Sequence, residues 1–132
     1  MKNLFKPGDK KHFSHRIAES DIAAFDGNVV HEVYATFSLA RDAEWCSRLF
    51  VLDMKEEGEE GIGTFLSVEH KAAAFVGEEI NFTAWVDHIE RNELICFFEA
   101  RVNDRIIAIG KTGQKILPIE KLKTILSRSS KS

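Results

Sequence analysis

Thr36, Glu44 and His70 bring a hydroxyl, a carboxylate and an imidazole into the middle of a 132-residue chain. Together these groups can activate water against a thioester carbonyl and expel a thiolate. The carboxylate serves as general base or as nucleophile, the imidazole exchanges protons near neutral pH, and the hydroxyl positions either group or donates to a developing oxyanion. Each residue also has an ordinary structural reading. Thr36 stands where a helix N-cap belongs, Glu44 can be a helix-surface residue, and His70 can be a satisfied histidine at a strand end. If one straight helix carries both Thr36 and Glu44, their Cα atoms are roughly 12 Å apart. Thr36 must then lie on a bent approach, or the helix must begin later, or one of the two must act from a second layer.

The elements that carry these residues follow from periodicity. From Thr36 or Phe37 to about Met54 the chain reads TFSLARDAEWCSRLFVLDM, without Gly or Pro, and its apolar residues are interleaved with Arg41, Asp42 and Arg48. This predicts one long helix. After a solvated KEEGEEG turn, Ile62 to Lys71 alternates as a strand, with Ile62, Thr64, Leu66, Val68 and His70 expected on one face. Further strands are predicted over Ile80 to Ile89, Glu93 to Asn103 and Arg105 to Leu117, joined by short turns at Arg91-Asn92 and Asn103-Asp104. Ahead of the helix, His12 to Ala18 reads as a first strand, and Ser20 or Asp21 as the cap of a short helical turn through Ile22, Ala23 and Phe25, a candidate lid. Pro118 introduces a last amphipathic helix that frays into a polar tail from about residue 127. One long helix against a twisted antiparallel sheet is an α+β arrangement, and residues 1–132 read as a single domain. The segments FTAWV and LICFF are nearly apolar on both faces, which motivates a homodimer with a continuous sheet.

Composition narrows the partners. A 44% hydrophobic, 30% charged chain with a formal net charge of -3 gives no reason to expect nucleic acid. Cys46 and Cys96 have neither metal-ligand spacing nor the density of a disulfide scaffold, so two core thiols in a reducing, cytoplasmic setting are expected. Nowhere is there an apolar run long enough to enter a membrane. His12 and His15, three apart on an extended segment, project to opposite faces, and HExxH, GxGxxG and Walker A patterns are missing from the sequence, so neither a metal nor a dinucleotide cofactor is expected.

The segments VYATFSLARDAEW, EEGIGTFLSVEHKAAAFVGEEINFTAWV and FEARVNDRIIAIGKTGQKIL resemble the fluoroacetyl-coenzyme A thioesterase-like family of the hotdog-fold superfamily, over about residues 5 to 117. The family's Thr, Glu and His fall on Thr36, Glu44 and His70, its Gly-x-x-x-x-Val-x-His stretch on Gly63, Val68 and His70, and its turn glycine on Gly77. The resemblance implies a hotdog fold with a long central helix wrapped by an antiparallel sheet, a dimer, hydrolysis of an acyl-CoA thioester, and no cofactor beyond the CoA of the substrate. It also makes Phe25, Val30, Tyr34, Phe37, Gly63 and Phe75 candidates for the acyl pocket or lid. Arg101, with Arg105, Lys111 and Lys115, becomes a candidate for the phosphates of CoA. The chain departs from the family where two prolines usually follow the His; here the segment is Lys71 to Val76 without proline, which bears on the acyl pocket. Two rival readings share the architecture: a non-catalytic dimer that binds an acyl thioester or small hydrophobic ligand, and an enzyme that hydrates or dehydrates an acyl-CoA.

Overall fold

The computed structural model describes the backbone of residues 1–25 and 28–131 and, within them, the side chains outside 24–31 and 129–131. The elements in chain order are β1 (Lys10–Arg16), a 3-10 turn (Glu19–Asp21), β2 (Ile22–Phe25), β3 (Asn28–Tyr34), α1 (Thr36–Met54), β4 (Glu59–His70), β5 (Glu79–Glu90), β6 (Glu93–Val102), β7 (Arg105–Pro118) and α2 (Ile119–Lys131). Five strands form one antiparallel sheet in the order β1-β5-β6-β7-β4, and β2 and β3 pair as a separate hairpin. The result is an α+β hotdog fold, with α1 packed along one face of the five-stranded sheet.

Helix α1 lies where it does because Leu39, Ala43, Cys46, Phe50 and Met54 recur at helical spacing and are fully buried. They meet the alternate residues Ile80, Phe82, Ala84 and Val86 of β5, with Cys96 and Phe98 of β6, in one core. The turns between β5 and β6 and between β6 and β7 have two central residues each, closed by Glu90↔Glu93 and Val102↔Arg105. Their first residues, Arg91 and Asn103, adopt positive φ, as tight antiparallel connections require.

Three local expectations are corrected. Residues Ile22 to Phe25 form a strand, not a helical turn: β2 pairs with β3 through Ile22↔Tyr34 and Ala23↔His31, and a four-residue apolar run carries no periodicity that separates the two states. Thr36 does not cap α1; the N-cap is Ala35, whose N–H donates to the Asp21 carbonyl at 2.8 Å. Ile62 and Thr64 do not share a face with His70, because the register of β4 on β7 shifts between Gly63 and Phe65. Thr64 is the extra residue of a β-bulge, and the bulge reverses the alternation. Gly61 and Gly63 therefore face the helix together with Leu66, Val68 and His70, as the close approach of Val51 to Gly61 and of Glu44 to Gly63 shows. Beyond Pro118, α2 continues to Lys131 through the segment read as a polar tail.

Candidate active site

The first turn of α1 and the end of β4 meet at Thr36 and His70. Thr36 Oγ1 lies 3.0 Å from His70 Nδ1, a hydrogen bond whose direction follows the imidazole tautomer. Thr36 is exposed and His70 half-buried, so the pair opens to the surface. Because the N-cap side chain is an alanine methyl, no side chain caps the first turn, and the positive end of the helix dipole lies beside this pair.

Glu44 belongs to the same helix, eight residues on, roughly 12 Å along its axis. Its carboxylate lies over Gly63 of β4: a Cβ built on Gly63 would come within 3.0 Å of Glu44 Oε1. Glycine at 63 thus leaves room for the carboxylate on the helix face of the strand. The chain therefore carries two separate groupings on α1 and β4, Thr36 with His70 and Glu44 with Gly63, about two turns of helix apart.

Between the base of the β2–β3 hairpin and α1 lies a buried polar cluster that the sequence did not announce. Asp21, 3% exposed, accepts from the Ala18 N–H at 2.8 Å, His15 Nε2 at 2.7 Å and the Arg41 guanidinium at 2.9 Å. Burial works against its charge, yet the Ala18, Arg41 and His15 donors outweigh it and hold the Asp21 carboxyl below the usual carboxylate range. Asp42 accepts from Arg41 Nε at 3.0 Å and from the Tyr34 hydroxyl. Burial, reinforced by the Asp42 carboxylate, raises the Tyr34 phenol far beyond its ordinary value. The cluster pins the strand that precedes α1 to the helix and so fixes where Thr36 begins. In sequence Asp21 reads as a helix cap, and Arg41 and Asp42 as polar residues between the apolar ones of the helix; only the pairing of Arg41 with Asp21 across 20 residues of chain reveals the cluster.

The remaining sequence candidates fall in several places. Tyr34 is fully buried within this cluster and packs against the His15 ring, with centroids 6.3 Å apart. Phe37 is exposed on the first turn of α1, and Phe75 borders a surface hollow with Glu19, Ile22, Glu32 and Val76. The segment without prolines turns at Gly77, φ +91°, and is tied back by the Tyr34 N–H to the Ala74 carbonyl at 2.9 Å. Arg101 lies on β6, where its guanidinium is engaged by Glu99 at 3.1 Å. The side chains of Phe25 and Val30 lie outside the described residues. Among the described residues no group of three or more His, Cys, Asp or Glu side chains is arranged to hold a metal ion, and no helix is long and apolar enough to cross a membrane.

Comparison with known proteins fits this geometry. The model of the FlK family, fluoroacetyl-CoA-specific thioesterase, matches residues 17–120. A crystal structure of a Thermus thermophilus thioesterase superfamily member superposes with a TM-score of 0.91 at 29% identity, covering 98% of this chain and 96% of that one. A variant of the fluoroacetyl-CoA-specific thioesterase FlK, solved with fluoroacetate and CoA, gives a TM-score of 0.83 at 21% identity over 89% of this chain and 99% of that one. A hot-dog-like protein from Thermanaerovibrio acidaminovorans gives 0.87 at 19% identity, over 96% and 93% of the two chains. No curated protein matches the sequence. The family match supports acyl-CoA thioesterase activity in general, without fixing the acyl group. The chain belongs to the FlK family of fluoroacetyl-CoA-specific thioesterases, within the hotdog-fold thioesterase superfamily.

Proposed function

We propose that this protein hydrolyses a small or short-chain acyl-CoA thioester to the free acid and CoA, as a homodimer whose two sites are each completed by both protomers. The observation that carries the reading is that Thr36 meets His70 where α1 begins and β4 ends, while the Glu44 carboxylate lies over Gly63 about two helical turns away. Strand β4 is the last of its sheet, so its outer edge is free to pair, and a free edge of this length is a template for another strand. Antiparallel pairing of β4 with its own copy about a two-fold axis at Ser67 opposes Leu66 to the partner's Val68. Next along, Phe65 opposes the partner's Glu69. If the bulge that Thr64 forms against β7 also absorbs one residue in this pairing, Gly63 stands opposite the partner's His70, both on the helix face. Glu44 over Gly63 thereby faces the partner's Thr36–His70 pair, and the 12 Å problem of the single chain is removed.

In this arrangement Glu44 takes a proton from water as the water oxygen attacks the thioester carbonyl carbon. The carbonyl oxygen gains negative charge beside the free N–H groups of the first turn of α1, and collapse of the tetrahedral intermediate breaks the C–S bond. His70, oriented by Thr36, gives a proton to the departing sulfur, and proton exchange with solvent returns Glu44 and His70 to their starting forms. Reactants are acyl-CoA and water; products are the acid and CoA.

The test is thiol release from a panel of acetyl, fluoroacetyl, short branched, aromatic and medium-chain CoA thioesters, with wild type and Glu44→Gln. Burial pushes the Cys46 thiol up to about 11 and the Cys96 thiol up to about 12, so the native protein's own thiols stay silent in such an assay. Release by wild type that drops on the order of 100-fold in Glu44→Gln is expected. Saturable acyl-CoA binding without release, or an unsaturated product without free thiol, would overturn hydrolysis.

A further inference from the structure

Gln114 stands on β7 directly across from Gly63 and is 1% exposed. Its Nε2 donates to the main-chain carbonyl of Glu44 at 3.3 Å, while its Oε1 is buried with no partner among the described residues. A buried amide acceptor left unpaired costs free energy that an apolar side chain of the same volume does not. Stability alone thus favours methionine or leucine here. The bond that Gln114 does make is surplus to backbone bookkeeping, since within a continuous helix from Thr36 to Met54 the Glu44 carbonyl already accepts the N–H four residues on. Two residues earlier on the same strand, the buried Thr112 hydroxyl donates to Ser47 Oγ at 2.7 Å. The seam between β7 and α1 can pair its polar groups, and at 114 it keeps one unpaired.

We infer that Gln114 is a positioning residue for the hydrolysis: it fixes the height of the Glu44 turn above Gly63, and with it the placement of the carboxylate. The side chain reaches α1 at the one residue whose carboxylate occupies the space over Gly63, Gln114's own cross-strand neighbour. The inference rests on the reading of Glu44 as the group that takes the proton of water. Displacing such a group by a fraction of an ångström lowers turnover without weakening substrate binding.

Gln114→Met keeps the length and volume of the side chain and removes both its amide donor and the orphan acceptor. With acetyl-CoA or fluoroacetyl-CoA, whichever the wild type cleaves faster, kcat is expected to fall about tenfold, KM to stay within about twofold, and Tm to hold or rise. Gln114→His, which returns an N–H donor at similar reach, should recover part of the loss. Unchanged kcat in Gln114→Met would overturn the inference, as would a fall in kcat matched by a fall in Tm and not relieved by histidine. Glu44→Gln, run alongside, separates the two claims. If it keeps wild-type release, or wild type releases no thiol, the functional reading fails and takes this inference with it. Release that depends on Glu44 but ignores Gln114→Met sinks the inference alone.

Discussion

Thr36 occupies the first position of α1 without capping it, and its hydroxyl turns to His70 instead. A role in the site without a role in the helix predicts a separation of effects. Thr36→Val should lower kcat on the order of tenfold or more while Tm barely moves, and Thr36→Ser should retain most of the activity; equal losses in Tm and kcat would argue for a structural threonine. Asp21 is expected to behave in the opposite way, because its carboxylate ties three donors at the base of the hairpin. Asp21→Asn should cost about 1–3 kcal/mol of stability. The folded-state pKa of Asp21 is below its ordinary 3.8. Its contribution is therefore fully present above that pH and lost as pH falls through the lower folded value, so the gap in Tm between wild type and Asp21→Asn should close only in that acid range. Thr36, Glu44 and His70 stand out in the sequence as candidates because their types and spacing are specific together. The Asp21–Arg41–Asp42 cluster and Gln114 were not, since each depends on which strands and turns become neighbours.

Helix α1 and strand β4 together position the candidate site, and β4 does so through what it lacks. Gly61 and Gly63 both face α1, yet a methyl at each would meet different things. At Gly61 it would come within 2.6 Å of Val51 Cγ1, in the packed core, whereas at Gly63 it would meet the end of the Glu44 side chain at 3.0 Å. Gly61→Ala should therefore lower stability by about 1–3 kcal/mol, while Gly63→Ala should leave Tm nearly intact and reduce kcat by displacing the carboxylate. Thermal melts and thiol release on the two variants check this pair; similar profiles would mean that Gly63 serves packing alone. The helix and the four long strands after it were readable from period and turn chemistry, with bounds that moved by three residues at most, at the start of β4. The bulge at Thr64 was not readable, because alternation in a single strand gives no sign of the register its partner imposes. The β2–β3 hairpin escaped for a different reason: Ser20-Asp21 ahead of a short apolar run satisfies the pattern of a capped helix as well as that of a strand.

At the scale of the molecule, β4 lies at the edge of the sheet with no further strand beside it among the described residues, and Glu44 lies apart from the Thr36–His70 pair. Trp85 and Phe97, from the two segments that read as apolar on both faces, lie side by side on the sheet with ring centroids 5.9 Å apart and planes tilted by 33°, and remain only half-buried. A continuous sheet across a two-fold axis predicts a mass of two chains by light scattering at micromolar concentration, and a monomeric mass would remove the composite site. The most direct test of that site uses two inactive partners, Glu44→Gln and His70→Ala, purified as separate homodimers and as mixed dimers from co-expression. If each site joins Glu44 of one protomer to His70 of the other, a mixed dimer holds one site with both residues intact, and thiol release should return to about half the wild-type rate per mixed dimer. If Glu44 and His70 of the same chain act together, every site in the mixed dimer carries a lesion, and activity that stays at the level of the parent variants would contradict the account.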